Sequence, residues 1–99
     1  MLYTVVGRET IAGVAAATGF TAANIPPTQL RTMYALVQAL SGPVRVCVDG
    51  TTPTATKGLK IGTEESIEVW GGESLENFRA IDDGAVATLE VIYFGRGGS

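Results

Sequence analysis

The chain contains no histidine, one cysteine and one tryptophan among its 99 residues. Without histidine, a transition-metal site lacks its commonest ligand. Cys47, the single thiol, lacks the imidazole base that nucleophilic catalysis requires, and it cannot close an intrachain disulfide. It therefore reads as a small buried residue. Charge is also scarce: 17% of residues are charged and the net charge is −3. No basic stripe offers itself to a phosphate backbone, so no nucleic acid is expected as a partner. No apolar run reaches the length of a membrane span, so no membrane is expected either. The start, Met1 to Val6, lacks the basic segment of a signal peptide. Repeats and heptads are absent, and no cofactor is expected.

Small apolar residues fill much of what remains. The apolar fraction is 45%, much of it alanine and valine, which implies a core of small side chains. A chain of this length makes one domain that buries only about two-thirds of its unfolded surface. Stability shared with further copies is therefore expected.

The most informative stretch runs from Val44 to Thr54. Alternation at period two puts Val44, Val46 and Val48 on one strand face and Cys47 on the other. Asp49 and Gly50 then open a turn in which Gly50 should take positive φ. Pro53 fixes the chain, so Thr51 to Thr56 reads as a rigid, exposed polar loop. Asp49, Gly50, Thr51, Pro53 and Thr54 are the candidate structural turn.

Alternation continues downstream. Leu59 and Ile61 mark a short strand, as do Ser66 to Trp70, Phe78 to Ile81 and Ala87 to Phe94. In the last, Leu89, Val91 and Tyr93 share one face, while Glu90, Ile92 and Phe94 share the other. Short strands punctuated by Gly and Pro turns predict an all-β fold: an antiparallel β-sandwich or jelly-roll-like barrel with an irregular N-terminal arm.

Upstream, the local signals conflict. Leu2 to Val6 could be a short strand, and Thr10 to Thr18 is alanine-rich and could form a helical turn or two, although Gly13 and Gly19 weaken it. The Pro26-Pro27 pair favours extended polyproline conformation. Leu30, Met33, Val37 and Leu40 fall at helical spacing, so local propensity leans to helix over 28–40. The same residues also alternate as a strand would, with Tyr34, Leu36 and Gln38 opposite Ala35, Val37 and Ala39. Ser41-Gly42-Pro43 would be a hairpin loop if both flanks were strands. The expected organisation is an arm over 1–19, a β-sandwich over 20–95 and a flexible glycine-rich tail over 96–99.

Candidate chemistry is sparse. Glu64-Glu65 and Asp82-Asp83 read as solvated turn carboxylates, since calcium needs six or more oxygens from a shaped loop. Trp70 and Tyr3 could form a sugar-stacking platform, although a lone tryptophan at a strand end reads first as a lid on the core. Nothing here resembles an enzyme site.

At Asp49-Gly50-Thr51-Thr52-Pro53-Thr54 the chain resembles a family of small tailed-bacteriophage virion proteins that carry Ile/Val-Arg-x-x-x-Asp-Gly-Thr-x-Pro-Thr after a strand. The similarity extends through Ala55-Thr56-Lys57-Gly58, Asn77 to Ile81 and Ala87 to Phe94, with Phe20 to Pro26 upstream. The arm over 1–19 lies outside it. The resemblance implies a non-enzymatic virion structural protein of the capsid decoration or cement type, which binds and stabilises the head shell. Its partners would be the major capsid protein or other virion subunits. It would reside in the virion, and in the host cytoplasm during assembly. It would form a homo-oligomer, with a trimer matching the local threefold positions of an icosahedral shell. The resemblance also implies that Arg31 to Leu40 is a strand. Asp-Gly-Ser/Thr-x-Pro-Thr is also similar to segments of Ig-like modules in carbohydrate-active enzymes. The alternative is therefore a carbohydrate-binding or tail-fibre-associated β-sandwich module.

Overall fold

The computed structural model describes residues 3–54 and 56–96. Among the described residues there are seven strands: β1 (Tyr3–Ala12), β2 (Thr32–Leu40), β3 (Val44–Cys47), β4 (Leu59–Ile61), β5 (Ser66–Trp70), β6 (Arg79–Asp82) and β7 (Thr88–Arg96). A short helix, α1 (Gly72–Asn77), and a 3-10 turn, Ala22–Asn24, complete the elements. The strands form two antiparallel sheets, one of order β1-β7-β2-β5 and one of order β4-β3-β6. The fold is thus the expected all-β, sandwich-like one. The sheets do not close into a barrel.

Strand alternation sorts the side chains. Leu89, Val91 and Tyr93 of β7 are fully buried, as are Ala35, Val37 and Ala39 of β2. The second sheet contributes Val44, Val46, Ile61 and Ala80. Phe20 and Phe78 stack at 4.2 Å between ring centroids, and Phe20 meets Tyr93 edge-on at 5.5 Å. Leu75, from α1, is completely enclosed. Burying a side chain of this size contributes about 1.5–3 kcal/mol.

Several expectations are corrected. Residues 28–40 do not form a helix, because Thr32 to Leu40 spend their backbone groups on β5 and β7. The resemblance-based strand over Arg31 to Leu40 agrees with the structure from Thr32 onward. Nor are residues 3–12 an irregular arm. They form β1 and pair with β7 from Tyr3↔Arg96 to Ala12↔Thr88, with a bulge between Val5 and Gly7. Likewise, Thr10 to Thr18 makes no helical turn. At Gly13, with φ +74°, the chain leaves the four-stranded sheet and runs along β6. There Asp82 N–H donates to Val14 O, and Thr18 exchanges two bonds of 2.9 Å with Ala80. This crossing ties the sheets together along one side.

Ser41 to Pro43 is no hairpin loop, since β2 and β3 belong to different sheets. Pro26-Pro27 is a cis peptide within a turn rather than an extended polyproline segment. Arg96, expected in the flexible tail, belongs to β7. Of the expected arm, loop and tail, residues 1–2, 55 and 97–99 lie outside the described residues.

Candidate binding surface

The segment Asp49 to Thr54 is held by local bonds. Asp49 Oδ1 accepts the Thr51 backbone N–H at 3.0 Å, and Gly50 has φ +90°. That bond holds the exposed Asp49 carboxyl below its ordinary value, because it favours the ionised form. Pro53 is fully buried, so the loop is pinned to the body through its centre. Thr54 exchanges backbone bonds with Lys57 at 3.0 and 3.2 Å, and its hydroxyl accepts Thr56 N–H at 3.2 Å. The bonds are all local, Asp49 to Thr51 on one side of Pro53 and Thr54 to Thr56 and Lys57 on the other.

β3 ends at Cys47, so Val48 does not continue the buried face. It is exposed and lines an apolar groove with Cys47, Asp49, Leu59 and Ile67. The groove encloses about 490 Å³ beside the outer edges of β4 and β5. Cys47 is half-buried there rather than enclosed in the core.

The largest cluster of exposed aromatic surface lies on the outer face of the four-stranded sheet. Register places Val5, Phe94, Tyr34 and Trp70 in one row across all four strands. The next row is Arg8, Ile92, Leu36 and Glu68, and the third is Thr10, Glu90, Gln38 and Ser66. Tyr34 stacks on Trp70 at 4.0 Å and on Phe94 at 4.8 Å. Tyr3 meets both Tyr34 and Trp70 at near right angles, each at 5.5 Å. Trp70 remains 45% exposed, so it is not a lid on the core. Its indole N–H donates to Glu68 at 2.9 Å. Beside this cluster a dimple of about 150 Å³ is lined by Leu36, Ile92, Gln38, Ser66 and Glu90.

Sequence reasoning named Tyr3 and Trp70 but missed Tyr34 and Phe94 as their partners. The signal was present as alternation, which sets Tyr34 beside Leu36 and Phe94 beside Ile92. Four aromatics on four strands show no spacing along the chain.

The inner face of β1 carries the main polar network. Glu9 accepts bonds from the Thr21 hydroxyl at 2.6 Å, the Thr21 N–H at 3.2 Å, the Asn24 amide at 3.1 Å and the Tyr93 hydroxyl. Burial alone would raise the Glu9 carboxyl, but these donors outweigh it and hold the group below its ordinary value. Burial, and then the neighbouring carboxylate, push the Tyr93 hydroxyl far above the usual phenol range. On the other sheet, Asp83 pairs with Arg45 at 3.2 Å and Lys60 at 3.5 Å. It is therefore no free turn carboxylate. Among the described residues no group of three His, Cys, Asp or Glu could hold a metal ion, and no helix is long and apolar enough to cross a membrane.

Comparison with known protein families, curated proteins and solved structures finds no match to this chain.

Proposed function

We propose that this chain is a non-enzymatic virion structural protein of the capsid decoration type, which acts by contact. The observation that carries the reading is the aromatic outer face. Tyr3, Val5, Tyr34, Trp70 and Phe94 present rigid apolar surface on a paired sheet, where little side-chain freedom remains to be lost on binding. Aromatic residues of this kind are enriched at protein interfaces. The resemblance at Asp49 to Thr54 and beyond directs that surface toward a capsid, and the turn itself is a brace for the fold. Many copies, each with a small interface, would then bind by avidity.

The test is rebinding of the purified protein to capsids that lack it. Binding should raise capsid resistance to heat or chelators, and Trp70→Ala should abolish it while the β-rich circular dichroism persists. Intact protein that binds no capsid would sink the reading.

A second reading, carbohydrate binding, draws support from the exposed Trp70 and Tyr3 and from the polar dimple next to them. Against it, Tyr34 occupies one face of the indole, and Tyr3 caps the pair. Sugar binding uses a ring face open to the ligand. Trp70 is the only tryptophan, so a titration of its fluorescence with oligosaccharides reads this patch alone. Saturable quenching would favour the second reading.

A further inference from the structure

The four-stranded sheet has two open edges. Among the described residues the backbone of β1 pairs only with β7, and that of β5 pairs only with β2. β1 is ten residues long, and the unpaired edge of a strand of that length is a template for another chain. Three antiparallel steps separate the two edges, so β1 and β5 run in opposite directions. β5 of a second copy can therefore lie against β1 as a continuation of the same antiparallel sheet, with the aromatic face kept on one side.

Charge selects this arrangement. Arg8 and Glu68 stand in the same row at opposite edges of the outer face, and both are exposed. Arg8 has no carboxylate partner among the described residues, and Glu68 accepts only the indole N–H of Trp70. With the row kept continuous, Arg8 meets Glu68 of the second copy and Thr10 meets Ser66. Val5 approaches Trp70, so apolar surface left open on both edges is covered. A twofold pairing of β5 on itself over its full length would instead set Glu68 against Glu68. A twofold pairing of β1 on itself would set Arg8 against Arg8 or against an uncharged residue, since the outer face of β1 carries no carboxylate. Directly opposed like charges destabilise a strand pair.

We infer that β1 of one copy and β5 of the next form a head-to-tail contact that joins copies of this chain through a continuous sheet. A contact of this type generates a closed ring when its rotation closes, and an open filament otherwise. The inference gives an interface for the homo-oligomer that the resemblance implies. It rests on that oligomer and not on the capsid.

The experiment is paired cysteine placement in a Cys47→Ala background, with mass measured by light scattering. Within one copy, residues 8 and 68 lie three strand spacings apart, about 14 Å, too far for a disulfide. Under a mild oxidant, a mixture of Arg8→Cys and Glu68→Cys chains should give a two-chain band, and either variant alone should give none. Arg8→Glu or Glu68→Arg alone should reduce the mass toward that of one chain, and the two together should restore it. Three results overturn the inference: a band from either cysteine variant alone, an oligomer without the 8–68 cross-link, and a wild-type protein that stays monomeric at all concentrations. Capsid binding is measured separately. An oligomer that ignores capsids leaves this contact standing and sinks only the virion reading.

Discussion

The hydroxyl of Tyr93 donates a hydrogen bond to the carboxylate of Glu9, from β7 to β1 across the inner face of the sheet. Tyr93 stands opposite Gly7, which leaves room beside its ring, and Glu9 lies one inward position further along β1. The same carboxylate takes three bonds from Thr21 and Asn24, so it also fastens the 3-10 turn. A single acid thus holds three parts of the chain together.

Stability should fall in acid because of Glu9. Its folded pKa lies below its unfolded one, so the unfolded chain takes up the proton first. The contribution is complete above the unfolded value, near 4.5, and is lost as pH drops through the folded value. Thermal melts from pH 7 to pH 2 should show this decline, and Glu9→Gln should lose the part of it that Glu9 supplies. An identical acid profile in the variant would refute the assignment. Tyr93→Phe should cost about 1.5–3 kcal/mol at neutral pH, the range for a hydrogen bond to a charged group.

At alkaline pH the same pair should act in the opposite direction. The Tyr93 hydroxyl is raised in the folded state, so its contribution is complete below the unfolded value, near 10, and is lost as pH rises above it. Ultraviolet titration of the tyrosines should leave one phenol un-ionised until the protein unfolds. A full complement of phenolate in the folded protein would contradict this.

Gly50→Ala should destabilise by about 1 kcal/mol through backbone conformation alone. Gly50 has φ +90°, and an added Cβ would meet nothing closer than Asn77 Oδ1 at 3.9 Å. Gly50→Asn should cost less, since asparagine tolerates positive φ better. Equal losses for both would point to a steric cause instead.

Gly95→Ala tests a different constraint. Gly95 is buried in β7, and an added Cβ would overlap the Arg31 carbonyl oxygen. The backbone must shift, at a cost of about 1–3 kcal/mol. Chemical denaturation should show a lowered midpoint with an unchanged slope. A midpoint equal to wild type would mean that the close approach is not a feature of the folded protein.

The strands after Val44 were legible because each carries its own alternation, and the buried Leu89, Val91 and Tyr93 follow it residue for residue. β2 was obscured because Leu30, Met33, Val37 and Leu40 satisfy the helical period as well. The decision came from pairing with β5 and β7, which local propensity does not contain. β1 was obscured for the same reason: its partner β7 lies at the far end of the described chain. α1 went unread because six residues give a helical period too little length. Of the candidate surface, the Asp49 to Thr54 turn was visible as contiguous turn chemistry. The aromatic row was not, since only the register of four strands brings Tyr34 and Phe94 beside Trp70.

The position of β7 governs the order in which the molecule can be made. It lies between β1 and β2, so the first strand has no hydrogen-bonded neighbour until residues 88–96 exist. Until then the backbone groups of β1 can be satisfied only by water or by non-native partners. The four-stranded sheet therefore completes only once residues 88–96 have been made, in a step that joins segments some 80 residues apart in sequence, such as Thr10 and Glu90.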